Sequence, residues 1–297
     1  MVNRKRKILD WGNSILFLGP TTFFFVITVI IPFIYGIYLT FHSMSTPTDP
    51  LVFSGVENYV QAINDTRFWE SLWITIKFVF ATTILINIVG FCLAYLVTLV
   101  IERAKVQNFL RSAYFTPNLI GGLVLGFIWQ FVFVQILPAI GDFTGIKWLE
   151  LGWLGDPVMA FWALVIVTVW QQSGYMMIIF IAGLISIPKD LMEAATIDGA
   201  GPLKRLRYVI LPLMVPSFVV TIFLSLRNAF MIYDLNLSLT DGGPYNSTLM
   251  ATMHVVNKAF IEYDYGTGQA EAIVLFIIVA VITGLQVYFS KKKEIEA

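Results

Sequence analysis

Charged residues, cysteine and histidine are all scarce in this sequence. Only 13% of its 297 residues are charged, the formal net charge is zero, and the one cysteine is Cys92. A single cysteine excludes an internal disulfide framework and a thiol cluster for a metal. The two histidines, His42 and His254, lie far apart in the sequence, so we predict no metal site. A net charge of zero gives no reason to expect nucleic acid as a partner.

Sequence motifs of enzymes are also missing. The sequence has no Gly-x-x-x-x-Gly-Lys-[Ser/Thr] motif, so it is not predicted to bind ATP through a P-loop. It has no Gly-x-Ser-x-Gly or His-Glu-x-x-His motif, so hydrolase chemistry has no support. Carboxylates are nearly absent deep in the apolar segments, where proton- or sodium-coupled carriers usually place them. We therefore predict that the chain is not an enzyme, has no cofactor of its own, and draws its energy from elsewhere.

Apolar residues, in contrast, are abundant. Hydrophobic residues make up 58% of the chain and the mean hydropathy is +0.78, values typical of an integral membrane protein. A helix needs about 20 residues to cross a bilayer, and six segments are long enough. We predict an all-α integral membrane protein with six transmembrane helices, forming one domain over residues 1–297. The predicted spans are 15–40, 72–100, 109–137, 158–184, 212–235 and 270–290.

The basic residues predict the orientation of the chain. They cluster at Arg4–Lys7, around Arg103 and Arg111, in segment 187–211 and at Lys291–Lys293. Each of the other three connections carries one basic residue. Basic loops stay in the cytoplasm, so all four clusters are predicted to lie on the cytoplasmic side, with both termini. We expect a multi-pass protein of the cell membrane, in contact with lipid.

Segment 187–211 interrupts the apolar pattern and has local order of its own. Pro188 suits the start of a helix, and Glu193 places negative charge near the N-terminal end of the helix dipole. Gly199 can end this helix, and Pro202 fits the first turn of a second short helix. A structured amphipathic helix in a cytoplasmic loop needs a surface to rest on. That surface is either the rest of this protein or another subunit.

The same segment carries a family resemblance. Its elements Glu193-Ala194-Ala195, Asp198-Gly199-Ala200 and Ile210-Leu211-Pro212 resemble, in order and spacing, the EAA loop of ABC importer permeases. In that family the loop is a coupling helix that docks into a cleft of the ATP-hydrolysing subunit. The resemblance implies an ATPase-coupling site made of Glu193, Ala194, Ala195, Asp198 and Gly199. Glu193 would contact a basic residue of the ATPase, while Asp198 and Gly199 shape the loop. The alternative is an ordinary amphipathic connector.

Segments between the spans extend the resemblance to carbohydrate-uptake permeases. The string Thr240-x-Gly242-Gly243-Pro244, followed by Thr248, resembles an outer loop of that group. Tyr265-Gly266 with Gly268-Gln269-Ala270 commonly opens its last span, and residues 52–69 resemble the segment before its second span. The resemblance covers nearly the whole chain and is loosest over residues 1–50.

Two polar faces lie near the middle of apolar spans. One face of the fourth span carries Thr168, Gln171, Gln172 and Tyr175. One face of the fifth span carries Thr221, Ser225 and Asn228. Polar side chains at this depth usually face the bundle interior or an aqueous cavity, and amides and hydroxyls suit a neutral, hydroxyl-rich ligand. Except for Thr221, which lies further toward the cytoplasm, we predict that these residues line a substrate site. The alternative is hydrogen bonding between helices.

Arg227 is added to the predicted substrate site because it lies a little past the middle of the fifth span. It either binds ligand directly or reaches a carboxylate such as Asp234. Together these features resemble one transmembrane subunit of a bacterial ABC importer for carbohydrates, of the maltose and oligosaccharide type. The resemblance implies a cavity that alternates between inward-open and outward-open states.

The resemblance also implies partners. They are a second, homologous permease that completes a heterodimer, two ATP-binding-cassette subunits that bind the ATP, an extracellular solute-binding protein and a carbohydrate substrate. Two alternatives remain open. The chain could be a standalone secondary carrier of a neutral polar solute, or a structural membrane subunit with no substrate path.

Overall fold

The protein is built almost entirely of helices. A computed structural model describes residues 16–44, 50–101 and 103–291. Among these residues the only strands are β1 (His42–Ser43) and β2 (Val52–Phe53), which pair antiparallel. The predicted basic clusters at Arg4–Lys7 and Lys292–Lys293, the predicted start of the first span at residue 15 and the ends of the predicted 1–297 domain lie outside the described residues.

The helices follow one another along the whole described chain. They are α1 Leu16–Leu39, α2 Glu57–Asn64, α3 Thr66–Val100, α4 Ala104–Phe115, α5 Gly122–Thr144, α6 Pro157–Ser186, α7 Lys189–Ile197, α8 Pro202–Leu213, α9 Val215–Phe230, α10 Asp234–Leu239, α11 Ala251–Phe260 and α12 Tyr265–Lys291. Single π-helical turns lie inside four of them, at Val26–Ile30, Leu96–Val100, Val132–Ile136 and Leu206–Ile210.

Five of the described helices are long and apolar enough to cross a bilayer: α1, α3, α5, α6 and α12. Helices α8 and α9 meet the same test as a pair and are bent by 69° at Met214. Pro212 and Pro216 flank this bend, and each lacks the backbone N–H that would continue the helix. Counted as one broken span, the pair completes an all-α membrane protein with six membrane-crossing segments.

Two predicted spans are interrupted in the structure. The span predicted over 109–137 is divided, because α4 ends at Phe115, a 3₁₀ turn covers Thr116–Leu119, and α5 begins at Gly122. Pro117, together with Gly121 and Gly122 a few residues later, explains this break inside a segment that was predicted as one span. The span predicted over 212–235 stops at Phe230, although the next residues are still apolar.

The chain separates into two compact units, and the boundaries along the chain fall between α2 and α3, inside α11 and inside α12. The larger unit covers Thr66–His254 and Leu275–Ala297. In it α3 packs along α6 and α9, and α5 packs against α10. Gly90 permits this close approach, since a Cβ there would lie 3.1 Å from the Met176 Cβ and from the Ser173 carbonyl oxygen. Two apolar clusters fill the unit, one around Phe78 and Leu164 and one around Phe180.

The smaller unit covers Met1–Asp65 and Val255–Val274. Its buried Asn58 donates from Nδ2 to the carbonyl oxygens of Thr40 and His42, each at 2.9 Å, and so fixes α2 to the end of α1. Lys258 pairs with Asp65 at 3.2 Å and with Glu262 at 3.1 Å. Burial by itself lowers the pKa of Lys258, but the hydrogen bonds and charges of the two carboxylates outweigh it and raise that pKa above its usual value.

Candidate functional site

A polar cavity of about 340 Å³ lies beside the middle of α6. Thr168, Gln171 and Gln172 line it from α6, and Asn228 lines it from the last turn of α9. The remaining lining is the segment from Met231 to Leu235. Four of the seven predicted substrate residues therefore come together around one space. Gln171 and Gln172 lie at the midpoint of the 30-residue helix α6, which places the cavity deep within the span.

An interruption between two helices creates this space. Helix α9 ends at Phe230, residues 231–233 are not helical, and α10 begins at Asp234. Thr252 stabilises the break, because its Oγ1 donates to the freed carbonyl oxygen of Ile232 at 2.7 Å. Irregular backbone at membrane depth is tolerated where it is buried in protein or lines an aqueous cavity. The break thus opens a hollow opposite the amides of α6.

The amides and the hydroxyl in the cavity have hydrogen-bond partners within the chain. The Gln171 Nε2 donates to the carbonyl oxygen of Ile120 at 3.0 Å, which ties α6 to the turn before α5. Thr168 Oγ1 donates to the Leu164 carbonyl oxygen at 2.8 Å. The Asn228 Nδ2 donates to the Gln172 Oε1 at 3.4 Å, a long and therefore weak bond. A ligand hydroxyl can replace this last bond at little cost, because each amide both donates and accepts.

Asp234 also lines the cavity, and sequence reasoning did not assign it to the site. It is the first residue of α10 and lies against the start of α5: a Cβ added to Gly122 would come within 3.0 Å of the Asp234 Cβ. The sequence placed Asp234 near the end of an unbroken span, which would have carried it past the cavity. The signal that could have found it is a carboxylate close behind Asn228 in an otherwise apolar stretch.

The other three predicted substrate residues lie outside the cavity lining. Tyr175 is half-buried and its ring lies 6.5 Å from that of Phe115, because one further turn along α6 brings it to the end of α4. Ser225 is fully buried and accepts a hydrogen bond from Asn87 Nδ2 at 2.9 Å, so it joins α9 to α3. Arg227 is exposed, and among the described residues it forms no ion pair with Asp234.

Segment 187–211 contains the predicted short helix, α7. Pro188 precedes it, and Gly199 follows it with a φ of +74°. The Ala200 N–H donates to the Ala195 carbonyl oxygen at 2.9 Å, and the Gly199 N–H donates to the Thr196 carbonyl oxygen at 3.1 Å. This pair of bonds is the Schellman motif, which needs a left-handed residue after the helix. Glycine at position 199 adopts that conformation at no steric cost.

The residues of the EAA resemblance lie on a surface that is open to solvent. Glu193, Ala194 and Asp198 are exposed, and Ala195 is half-buried. Arg205 of α8 is hydrogen-bonded to α7, since its Nη1 donates to Thr196 Oγ1 at 3.2 Å. Around α7, three large apolar side chains are left uncovered within the larger unit: Ile197 is 86% exposed, Leu203 77% and Tyr208 71%. Exposed apolar side chains grouped in this way are typical of a protein–protein contact.

Glu193 also lines a second, largely apolar cavity of about 450 Å³ under α7. Leu99 near the end of α3, Leu184 near the end of α6, Lys189 and Arg205 also line it. Helix α7 is thus tied to Arg205 through Thr196, while Ala194, Ile197 and Asp198 remain exposed.

Comparison with known proteins identifies the family. Residues 86–295 match the family described as "Binding-protein-dependent transport system inner membrane component". The chain is 46% identical over 281 residues to the probable starch degradation products transport system permease protein AmyD of Thermoanaerobacterium thermosulfurigenes, covering 95% of this chain and 94% of that one. It is 32% identical over 292 residues to the multiple sugar-binding transport system permease protein MsmF of Streptococcus mutans, covering 98% and 99%.

A solved structure shares the fold. One chain of a bacterial ABC transporter involved in the import of the acidic polysaccharide alginate superposes with a TM-score of 0.83, over 98% of this chain and 99% of that one, at 17% identity. Six membrane-crossing segments, a polar cavity at mid-depth and a capped helix in a basic loop all agree with a transport subunit. From these matches and this architecture, the chain belongs to the family of binding-protein-dependent transport system inner membrane components.

Proposed function

We propose that this chain is one of two homologous permease subunits of an ATP-driven sugar importer in a bacterial cell membrane. Two ATP-binding-cassette subunits supply the energy, so this chain binds no ATP and needs no cofactor. A solute-binding protein outside the cell delivers an oligosaccharide. The match to transport permeases whose names include starch degradation products and multiple sugars supports a carbohydrate as the substrate.

The observation that carries this proposal is the cavity at the break between α9 and α10. In it Thr168, Gln171, Gln172 and Asn228 bind the sugar. Amides and hydroxyls replace the water that a sugar loses on entering, and each such bond contributes about 0.5–1.5 kcal/mol. Ser225 and Tyr175 support the helices around the cavity, and Arg227 acts at its margin. The binding-protein-dependent family favours this function over that of a standalone carrier.

The proposed coupling site is α7 with its cap. Glu193, Ala194 and Asp198 present an exposed surface, and Ile197 adds apolar area. The small side chains of Ala194 and Ala195 let the ATPase approach the helix closely. Asp198 and Gly199 fix the direction in which the chain leaves the helix. Movement of the ATPases then tilts α7, and Arg205 transmits the tilt to α8.

The proposed orientation places segment 187–211 in the cytoplasm, with both termini on the same side. The basic residues Lys189, Lys204, Arg205 and Arg207 of this segment support that side, because basic loops are retained there. Reporters fused to the termini and inserted near Asn246 test the orientation. A terminus that is accessible from outside contradicts it.

Uptake measurements test the cavity. The double variant Gln172→Ala with Asn228→Ala removes both partners of the 3.4 Å bond, so neither amide is left unpaired. In vesicles that contain the assembled complex, ATP and binding protein, we expect the apparent affinity for sugar to fall about 5- to 150-fold, from two bonds of about 0.5–1.5 kcal/mol each. Unchanged uptake per assembled complex, or a loss that only follows reduced assembly, contradicts the sugar site.

Charge reversal tests the coupling site. Glu193→Lys places a positive charge where a basic residue of the ATPase is expected, so transport-linked ATP hydrolysis should fall at least tenfold. Membrane insertion should not change, because α7 lies outside the spans. Glu57→Lys, which reverses an exposed acidic residue on α2, is the matched control. If the Glu193→Lys variant transports sugar at the rate of the control, Glu193 has no coupling role.

A further inference from the structure

We infer that Asp234 makes this cavity reject anionic sugars, so that the imported carbohydrate is a neutral oligosaccharide. The inference rests on the proposed function, because the cavity must first be a sugar site. It adds a residue that selects among sugars by charge, at a position that belongs to neither predicted site.

The composition of the cavity lining is the first observation. The nine residues that line it are all described, and Asp234 is the one with a formal charge. Its neighbours there are amides, a hydroxyl, the phenol of Tyr233 and apolar side chains. Arg227 is the residue before Asn228, yet it does not line the cavity. No lysine or arginine in this lining is therefore available to neutralise Asp234 or to bind an anionic ligand.

The backbone position of Asp234 is fixed by helix packing. Asp234 begins α10, and the start of α5 lies against it so closely that a Cβ on Gly122 would be 3.0 Å from the Asp234 Cβ and from the Leu235 backbone nitrogen. Ser238 Oγ, one turn further along α10, donates to the Asp234 carbonyl oxygen at 2.9 Å. The N-terminal end of a long helix such as α5 favours a negative charge nearby. The Cβ of Asp234, an exposed residue of the cavity wall, is thus held beside the start of α5.

Hydrogen-bond chemistry makes this carboxylate favour neutral sugars over anionic ones. An ionised carboxylate only accepts hydrogen bonds, and its two oxygens can accept from two adjacent hydroxyls of a neutral sugar. A uronate or a phosphorylated sugar brings a second negative charge to the same place. Because the amides of Gln171 and Gln172 carry no net charge, they cannot offset that repulsion. Selection against the wrong ligand by unpaired like charge is an effective way to obtain specificity.

The fold by itself does not decide this selectivity. A transporter described as importing an acidic polysaccharide shares the fold with a TM-score of 0.83 and 17% identity. A permease named for starch degradation products, which are uncharged glucose oligomers, shares 46% of the sequence. Any selection by charge in the permease therefore depends on side chains, and the charged side chain in this cavity lining is Asp234.

Direct binding tests the inference. Maltotriose serves as the neutral probe and trigalacturonate as the anionic probe, each added to the purified complex of permeases and ATPases without the binding protein, whose own selectivity is thereby removed. The variants are Asp234→Asn, which removes the charge, and Asp234→Glu, which keeps it. Asp241→Asn is the matched control, because it removes the same charge from an exposed residue that does not line the cavity.

We expect the wild-type complex to bind maltotriose at least tenfold more tightly than trigalacturonate, a ratio that corresponds to about 1.4 kcal/mol. Asp234→Asn should reduce the ratio to below about threefold, mainly by improving the binding of trigalacturonate. Asp234→Glu and Asp241→Asn should keep the wild-type ratio. In the wild type, raising the salt from about 0.05 M to about 1 M should narrow the ratio, because salt screens the repulsion.

The outcomes separate the two proposals. If both probes bind and Asp234→Asn keeps the wild-type ratio, the charge filter is wrong and the sugar site stands. If the Asp234→Asn complex does not assemble, the salt experiment on the wild type decides. Charge selection by Asp234 is wrong if salt leaves the affinity ratio of maltotriose to trigalacturonate unchanged. If maltotriose does not bind the wild type, or binds equally to the Gln172→Ala, Asn228→Ala double variant, the proposed sugar site fails and the filter fails with it.

Discussion

Asn228 and Ser225 lie about one turn apart on α9 and carry similar chemistry, yet their surroundings differ. Asn228 lines the polar cavity and forms only a long, 3.4 Å bond with Gln172. Ser225 is completely buried, accepts from Asn87 at 2.9 Å and donates to the Thr221 carbonyl oxygen at 2.7 Å. Spacing along a helix therefore selects a face, but the element opposite that face decides whether a polar residue is available to a ligand.

The same division occurs on α6. Gln171 and Gln172 face the hollow left by the break after Phe230. Gly174 and Tyr175, one turn further on, lie against the end of α4. The division predicts two classes of variant. Changes in the packed class should lower stability or assembly and leave sugar affinity alone, and changes in the cavity class should do the reverse.

The largest effect is expected for Gly174→Ala. A methyl group on Gly174 would collide with the carbonyl oxygen of Tyr114, and backbone cannot move aside as a side chain can. Overpacking of this kind costs about 1–3 kcal/mol or more, so the yield of assembled complex and its thermal stability in detergent should both fall. Gly152→Ala is the control, because nothing lies within 4 Å of its added Cβ. Equal stability of the two variants would show that α6 is not tightly packed at this point.

Ser225→Ala should have the next largest effect. The variant removes the acceptor for the Asn87 amide between α3 and α9, and hydrogen bonds between membrane helices contribute about 0.6–1.7 kcal/mol. The free energy of unfolding should fall by that amount, seen as a lower melting temperature in detergent. Uptake per assembled complex should stay at the wild-type level. Ser186→Ala, at the exposed end of α6, controls for loss of a hydroxyl. A fall in sugar affinity without a fall in stability would move Ser225 into the cavity class.

Gln172→Ala tests the opposite class. The side chain lines the cavity, and its partner Asn228 keeps access to the cavity water, so stability should change little. Loss of one sugar bond of about 0.5–1.5 kcal/mol should lower the apparent sugar affinity about 2- to 12-fold in uptake measurements. Gln130→Ala, which truncates an exposed glutamine on α5, is the control. A wild-type affinity with reduced stability would assign Gln172 to the packed class.

Tyr175→Phe should have the smallest effect. The sequence predicted that Tyr175 lines the substrate site. Its ring packs on Phe115 instead and lies outside the cavity lining, so removal of the hydroxyl should change uptake less than twofold. A tenfold loss of sugar affinity in this variant would restore Tyr175 to the sugar site.

The helices of segment 187–211 were predictable because their signals are local. Pro188 precedes α7, Gly199 has the left-handed conformation that ends it, and Pro202 occupies the first turn of α8. Proline fixes its own φ and glycine adopts a positive φ without steric cost, so sequence alone indicates the result. Pro117 is a similar local signal for the break between α4 and α5, which falls inside one predicted span.

The break after Phe230 was not predictable, and the cavity depends on it. Met231, Ile232 and Tyr233 continue the apolar pattern, with neither glycine nor proline to mark an end. Thr252, which is remote in sequence, satisfies the Ile232 carbonyl oxygen, and α5 packs on the displaced α10. Because both supports come from distant parts of the chain, no local pattern around residue 231 could reveal them.

The sequence by itself determined what depends on local composition and order: six apolar segments, their polar faces, the capped helix of segment 187–211 and the resemblance to ABC importer permeases. Tertiary structure alone decided which polar residues share a space, because that depends on what the opposing helix presents. It withdrew Ser225 and Tyr175 into contacts between helices and brought Asp234 beside Gln171 and Gln172. The reason is physical: a helix fixes the angle of each side chain about its own axis, while packing between elements distant in sequence fixes what each side chain meets.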